Sequence, residues 1–597
     1  MTKNKSNWLE RPIHPALPAI TNEILIFAAV ILLALVTRFY NLGARVMSHD
    51  ESLHTYFSWL LYRGQGYQHS PMMHGPFQFH IIALTYDLLG ASDFTARIPA
   101  VLFSIATVWM VWYWRRYLGK SGALIAGFLL VISPYMLFYG RYVRNESFVG
   151  FSGIVLLYAM LRHLEVGGKK YLYTIALAQV LHFATKETAF IYTAQALLFM
   201  AIYFIARITR KPWDGKEKEY RAFIVTLAIA ILLLGCAAGY GIYARDAATI
   251  SGTETAAPSN PDSTASPLAP PETATVSLAS ILALASLLTL GVAGFTLIRG
   301  YTWEGIRTER SFDLLMLLGL LVLPMLAPFP IKFLEGWLNV TIPTDAGQIQ
   351  ALAGNIRSIG IIGGILAVMF ILSAVAGLIW NKEFWWKPTL LFWAIFTILY
   401  TTVFTNSDGF FTGTIGSLGY WLVQQSVERG SQPWYFYVFL QIPMYEFLPA
   451  LGFILALIVG SRYKPAPRAS IEAEFGSNEI ISEVPPEENN FSNTFSLLVW
   501  WSIIAIVAFS AAGERMPWLT YHMAWPMILL TGWALGRLID NTDWVKLREH
   551  RAGLVVALAV IFFTSLISSM LSISGINPPF QGKELAQLQA TSAFLLP

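Results

Sequence analysis

The residues best suited to chemistry are two adjacent carboxylates, Asp50 and Glu51, in the stretch Met47-Ser48-His49-Asp50-Glu51-Ser52 just beyond the first strongly apolar run. Burying an unpaired charge is costly, so packing alone does not account for two acids at a membrane exit. Neighbouring side chains diverge, by about 100° on a helix and about 180° on a strand. One acid can therefore take a proton from a hydroxyl while the other orients an acceptor or holds a hard divalent cation such as Mg or Mn. A solvated acid pair in a loop is the competing reading. Further chemistry-bearing stretches come in order along the chain: His69 to Pro76 with His74, then Arg141, Arg144 and Glu146, then Lys186-Glu187. Later come Gln424-Gln425 with Glu428 and Arg429, Gln432-Pro433-Trp434-Tyr435, and Gly513-Glu514-Arg515-Met516-Pro517-Trp518. Bases in such a set can neutralise a phosphate while one carboxylate stays free as a base.

Each of these stretches also has a plainer reading. Arg141 and Arg144 are three apart and share a face if helical, with Glu146 displaced from it, but arginines at helix ends also snorkel to headgroups. Lys186 and Glu187 can simply neutralise each other in a tight turn. His49, His54, His69 and His74 show i, i+5 spacings rather than the i, i+4 spacing of helical metal ligands, which favours hydrogen-bonded structural roles. Trp434 and Tyr435 fit an interfacial aromatic belt, or a surface on which a sugar stacks.

The elements that must hold these groups are membrane helices. Of 597 residues, 55% are hydrophobic and 13% charged, and the mean hydropathy is +0.54, too apolar for a single water-soluble globule. Windows able to cross roughly 30 Å of hydrocarbon recur near 23–40, 96–114, 121–139, 147–164, 171–185, 188–206, 222–243, 276–298, 312–328, 358–380, 389–404, 435–459, 494–510, 523–539 and 553–574. The pattern predicts an all-α polytopic protein of about 13–15 transmembrane helices, with 171–185 and 188–206 readable as one broken hairpin. With the N-terminus inside, 27 of the 40 basic residues fall on the cytoplasmic side and 13 outside, which places Asp50 and the other chemical stretches outside. The first apolar run reads as an uncleaved signal anchor. The lone cysteine, Cys236, supports no disulfide or thiolate metal site. A net charge of +4, set by short inter-helix clusters, excludes a nucleic-acid footprint.

Residues 248–275, rich in Thr, Ser, Ala and Pro, read as a disordered extracytoplasmic loop, and 461–493 as a disordered cytoplasmic linker. No internal repeat supports an inverted-repeat transporter, and no sizeable soluble domain follows the last helix.

An Asp-Glu pair in a long first outer loop, followed by His74-Gly75-Pro76, resembles the GT-C superfamily of membrane glycosyltransferases, in particular its protein O-mannosyltransferases and aminoarabinose transferases. The later stretches 424–435 and 513–518 resemble more narrowly the flippase-activity-associated family linked to archaeal N-glycosylation. The first likeness covers about residues 20–210 and the second runs on to about 575; the 248–275 insert departs from both. The resemblance implies a cytoplasmic tail 1–22, a catalytic module 23–247 whose first outer loop contains short helices, a second transmembrane module 276–460 and C-terminal helices 494–597.

It also implies Asp50 as the catalytic base and Glu51 beside it, orienting the acceptor or a metal. Glu146 and Glu187 complete an acidic cavity, and Arg141, Arg144 and Lys186 hold a lipid phosphate. His49, His74, Gln425, Glu428, Arg429, Trp434, Tyr435, Glu514 and Arg515 would serve as further substrate contacts. The expected activity is inverting transfer of a hexosyl or related sugar from a polyprenyl-phosphate carrier to a lipid, glycan or protein acceptor. It would take place on the extracytoplasmic face of a cell membrane. A non-catalytic helper in flipping lipid-linked sugars is the alternative. It calls for polar residues at mid-depth in several helices, which the runs 276–298, 358–380 and 553–574 scarcely offer.

Overall fold

The computed structural model describes residues 8–252, 278–352, 355–424, 432–462, 490–573, 579–580 and 582–595. Among them the secondary structure is helical, apart from an isolated bridge between Pro12 and Thr21. Every one of the fifteen apolar windows meets a helix. Ten helices are long and apolar enough to cross a membrane, and an eleventh span is a pair, Phe436–Tyr445 and Phe447–Arg462, bent by 108°. The remaining windows are shorter or more polar: Lys120–Ile132, Lys169–Phe183, Trp386–Tyr400, and Thr520–Asp540 with His522, Arg537 and Asp540 in it. The readings at 253–275 and 463–489 lie outside the described residues. By packing, the chain forms two units, 1–535 and 536–597.

The first nine helices position the site. They are α1 (Asn22–Phe39), α2 (His49–Tyr62), α3 (Phe77–Leu89), α4 (Asp93–Leu118), α5 (Lys120–Ile132), α6 (Pro134–Tyr139), α7 (Glu146–Val166), α8 (Lys169–Phe183) and α9 (Thr188–Ile208). The short α2 and α3 are the helices expected in the first outer loop. α2 starts where it does because Ser48 and Glu51 form a reciprocal capping box, which satisfies otherwise orphaned N–H groups at its first turn. α8 and α9 are separate helices joined by Ala184 to Glu187, so the turn carrying Lys186 and Glu187 is closed at both ends.

A helix break and a close helix contact fix how these elements meet. Pro134 has no N–H to give the carbonyl of Leu130, so α5 ends and α6 begins at a corner. Arg38, fully buried near the end of α1, fills that gap by donating to Leu130 O at 2.8 Å and Val131 O at 2.9 Å. α7 lies against the Thr520 helix so closely that a Cβ on Gly150 would stand 2.5 Å from Tyr521 Oη. Only glycine permits that approach.

Candidate active site

Glu51 is fully buried and both of its oxygens have partners. Arg97, on the first turns of α4, donates from Nε to Glu51 Oε1 at 2.9 Å and from Nη2 to Oε2 at 3.0 Å. Arg45 donates to Oε2 at 2.8 Å, and the backbone N–H groups of Ser48 and Val143 donate at 3.2 Å each. Burial alone would raise the Glu51 pKa; the hydrogen bonds from Arg97, then those from Ser48 and Val143, more than reverse this and lower it. Glu51 therefore ties the first loop to α4, with both its oxygens engaged by protein partners. With both oxygens engaged it does not fit as a ligand for Mg or Mn. Among the described residues no three His, Cys, Asp or Glu side chains gather as a metal site.

Asp50 faces another way, as adjacent helical residues must. Its carboxylate pairs with Arg144 and its side chain is 36% exposed. Arg144 also approaches Glu146 Oε2, at 3.4 Å, and its guanidinium lies 3.6 Å from the centroid of the Trp518 ring. Glu146 begins α7 and pairs with Lys186 Nζ at 2.6 Å, both side chains being buried. Lys186 and Glu187 thus do not neutralise each other: Glu187 accepts from His74 Nδ1 at 2.7 Å. Burial raises the Glu187 pKa and His74 lowers it further than that, leaving it below the ordinary carboxylate range.

The His74-Gly75-Pro76 segment has a structural reason for its composition. Gly75 N–H donates to Thr185 O at 3.0 Å and Phe77 N–H to Ala184 O at 2.8 Å, so the segment runs along the α8–α9 turn. A Cβ on Gly75 would lie 2.3 Å from Ala184 O, which leaves no room for any other residue. His74 itself takes φ +68° and ψ −167°, a conformation almost reserved for glycine and costing on the order of 1–3 kcal/mol. The backbone pairing after it and the Glu187 contact hold it there.

The later stretches converge on the same place. Arg515 donates to Gln432 O at 2.8 Å, and Tyr437 Oη to Met516 O at 3.0 Å, so 432–437 and 510–518 are tied together with Trp518 under Arg144. Glu514 is half-buried beside them, while Trp434 and Tyr435 are exposed. His49 is exposed at the start of α2. Gln425, Glu428 and Arg429 lie outside the described residues.

Arg141 is not where its spacing from Arg144 placed it. Residues 140–145 form turns and bends rather than helix, so the two arginines diverge, and Arg141 reaches back to the carbonyl of Tyr40. Sequence reasoning missed Arg97 and Arg45, and named Trp518 only within its stretch, without its contact to Arg144. Arg97 carried a signal, being a charge within the 96–114 apolar window, where a cation needs a partner.

Two buried histidines give the loop a pH dependence. Burial pushes the imidazoles of His54 and His69 down to about 4 from 6.5. His54 Nδ1 meets Asp50 O at 2.7 Å, and His69 Nδ1 meets Thr412 Oγ1 at 2.7 Å. Between pH 6.5 and 4 the unfolded chain binds more protons at these positions than the folded one, so stability falls with falling pH, by about 1.4 kcal/mol per pH unit for each group. The thermal midpoint of purified protein should therefore drop as pH goes from 7 to 5. A flat profile that changes only below the carboxylate range would contradict the assignment.

Residues 73–245 match the family model described as dolichyl-phosphate-mannose-protein mannosyltransferase. No curated protein sequence matches the chain. Among solved structures it is similar to the apo oligosaccharyltransferase of Archaeoglobus fulgidus, at 13% identity and TM-score 0.40, over 96% of this chain and 56% of that one. The archaeal oligosaccharyltransferase AglB from Archaeoglobus fulgidus, in complex with an inhibitory peptide and a dolichol-phosphate, is similar at 13% identity and TM-score 0.36, with the same coverages of 96% and 56%. ArnT from Cupriavidus metallidurans bound to undecaprenyl phosphate is similar at 15% identity and TM-score 0.28, over 86% of this chain and 78% of that one. The chain thus spans little more than half the length of the oligosaccharyltransferase. The family match runs through His74, Arg144, Glu146, Lys186 and Glu187.

Proposed function

We propose that this protein is an inverting transferase that moves a hexosyl or related sugar from a polyprenyl-phosphate carrier to the hydroxyl of a lipid, glycan or protein acceptor, on the extracytoplasmic face of a cell membrane. One observation carries the choice of base. Of the four acids gathered here, Asp50 alone is substantially open, at 36% side-chain exposure, against 0% for Glu51 and Glu146 and 8% for Glu187. The family description names a dolichyl-phosphate-mannose donor, which belongs to the donor class proposed.

In this reading the carrier phosphate takes Arg144 away from Asp50, which frees the carboxylate next to the cation that now binds the leaving group. The acceptor oxygen attacks the anomeric carbon as Asp50 accepts its proton. The bond from that carbon to the phosphate oxygen breaks with inversion, and the carrier leaves as polyprenyl phosphate, its charge met by Arg144. Lys186 and Glu146 hold Arg144 in place from the buried side. The catalytic module is proposed as 23–247, with Trp518 contributed by the C-terminal helices.

Purified protein should release free polyprenyl phosphate from a labelled polyprenyl-phosphate sugar only when acceptor is supplied. No acceptor-dependent release across a panel of hexosyl carriers would overturn the reading. Arg144→Gln should weaken donor binding by about 1.5–3 kcal/mol, the worth of a charge-assisted hydrogen bond. Donor affinity equal to that of the parent protein would remove Arg144 from the phosphate. Sidedness rests on the 27-to-13 division of basic residues. Cysteine labelling that finds position 50 and the 461–493 segment on one side of the membrane would reverse it.

A further inference from the structure

Charge is balanced on one side of Glu51 and not on the other. Around Asp50, the cations Arg144 and Lys186 face the carboxylates of Asp50 and Glu146. Beyond the Glu51–Arg97 pair, three guanidinium groups, those of Arg45, Arg97 and Arg141, line one cavity, and Glu51 pairs with Arg45 and Arg97. They border a cavity of about 310 Å³ whose other walls are mainly apolar: Leu42, Pro134, Leu137 and Phe138.

Arg141 is fixed by the Tyr40 carbonyl, and its buried Nε has no acceptor. Arg45 lies over the rings of Phe138, at 5.4 Å, and Tyr142, at 5.1 Å, with its side chain 47% exposed. Burial, and then the neighbouring charges of Arg45 and Arg97, push the Arg141 pKa down, as expected where cations crowd without a counter-ion. The cavity sits just past Phe39, where the first membrane-spanning helix ends. That is the depth at which lipid phosphates lie, and basic groups there attract them.

We infer that this cavity is a second anion site, built for the phosphate of an anionic membrane lipid, with Arg45 and Arg141 on the phosphate and Leu137 and Phe138 against the first carbons attached to it. A free phosphate would use the same guanidinium groups and gain nothing from the apolar walls. The lipid-borne form is therefore the one the cavity fits. The site is distinct from the transfer site, because neither Asp50 nor Arg144 lines it and it needs no sugar donor.

The test uses the full chain in nanodiscs of phosphatidylglycerol and phosphatidylcholine, released into detergent, with retained lipids identified by native mass spectrometry. The parent protein should keep phosphatidylglycerol selectively. Arg45→Gln/Arg141→Gln should keep at least tenfold less, and Leu137→Trp, which fills the cavity without touching a charge, should do the same. Arg144→Gln should retain the parent level. Equal retention in the double variant, in Leu137→Trp and in the parent would overturn the site. Displacement of the lipid by millimolar inorganic phosphate would overturn its lipid character.

Discussion

Asp50→Asn should lower turnover by roughly 10²–10⁴-fold, the range expected when a general base is removed, while donor binding persists. The substitution keeps the shape and polarity of the side chain but takes away the proton acceptor. It also releases Arg144 from its ion pair, so donor affinity should stay the same or tighten rather than fall. That combination separates loss of a base from damage to the fold, which would weaken both. Acceptor-dependent release of carrier phosphate, measured together with donor binding on the same preparation, gives the two numbers. Near-parent turnover in protein that binds donor would remove Asp50 as the base.

Arg97→Leu should destabilise the protein by about 3–5 kcal/mol, the cost of breaking a buried ion pair by removing one partner. Arg97 and Glu51 are 1% and 0% exposed, and Arg97 also donates to Leu42 O at 2.8 Å and Arg45 O at 3.0 Å. The substitution strips the Glu51 carboxylate of its main partner and the 42–45 loop of its anchor in one step. Glu51→Leu added to Arg97→Leu should recover part of the loss, because no buried charge then stands alone. Unfolding in detergent at several denaturant concentrations would measure both. A fall of less than about 1 kcal/mol in the single variant, as for an exposed pair, would show that the pair is not buried. Added Mg or Mn should rescue neither variant, since both oxygens of Glu51 are engaged by Arg97 and Arg45.

What could be read from the sequence was whatever depends on near neighbours along the chain. All fifteen apolar windows correspond to helices because length and hydropathy decide that locally. That Asp50 and Glu51 face different partners was legible because adjacency forces divergence. Partner choice was not legible. Lys186 beside Glu187 suggested mutual neutralisation, yet the turn between α8 and α9 sends one to Glu146 and the other to His74. Arg141 and Arg144 looked like one face of a helix until the turns and bends over 140–145 separated them. Trp518 could not be tied to Arg144 from either stretch alone, because the packing of distant helices joins them.

The corner between α5 and α6 bears on how the chain is assembled in the membrane. Arg38 belongs to α1, but the carbonyls that satisfy it, on Leu130 and Val131, are synthesised more than ninety residues later. Until they arrive, the guanidinium must stay among the headgroups, which draws the exit end of the first helix toward the surface. That helix reaches its final depth only when Pro134 has inserted and left the Leu130 carbonyl open. A nascent chain halted before residue 130 should therefore hold the stretch after Phe39 farther out of the bilayer than the finished protein does, as site-specific labelling on arrested ribosomes would show. The proline that breaks the fifth helix is thus a late docking point for the first.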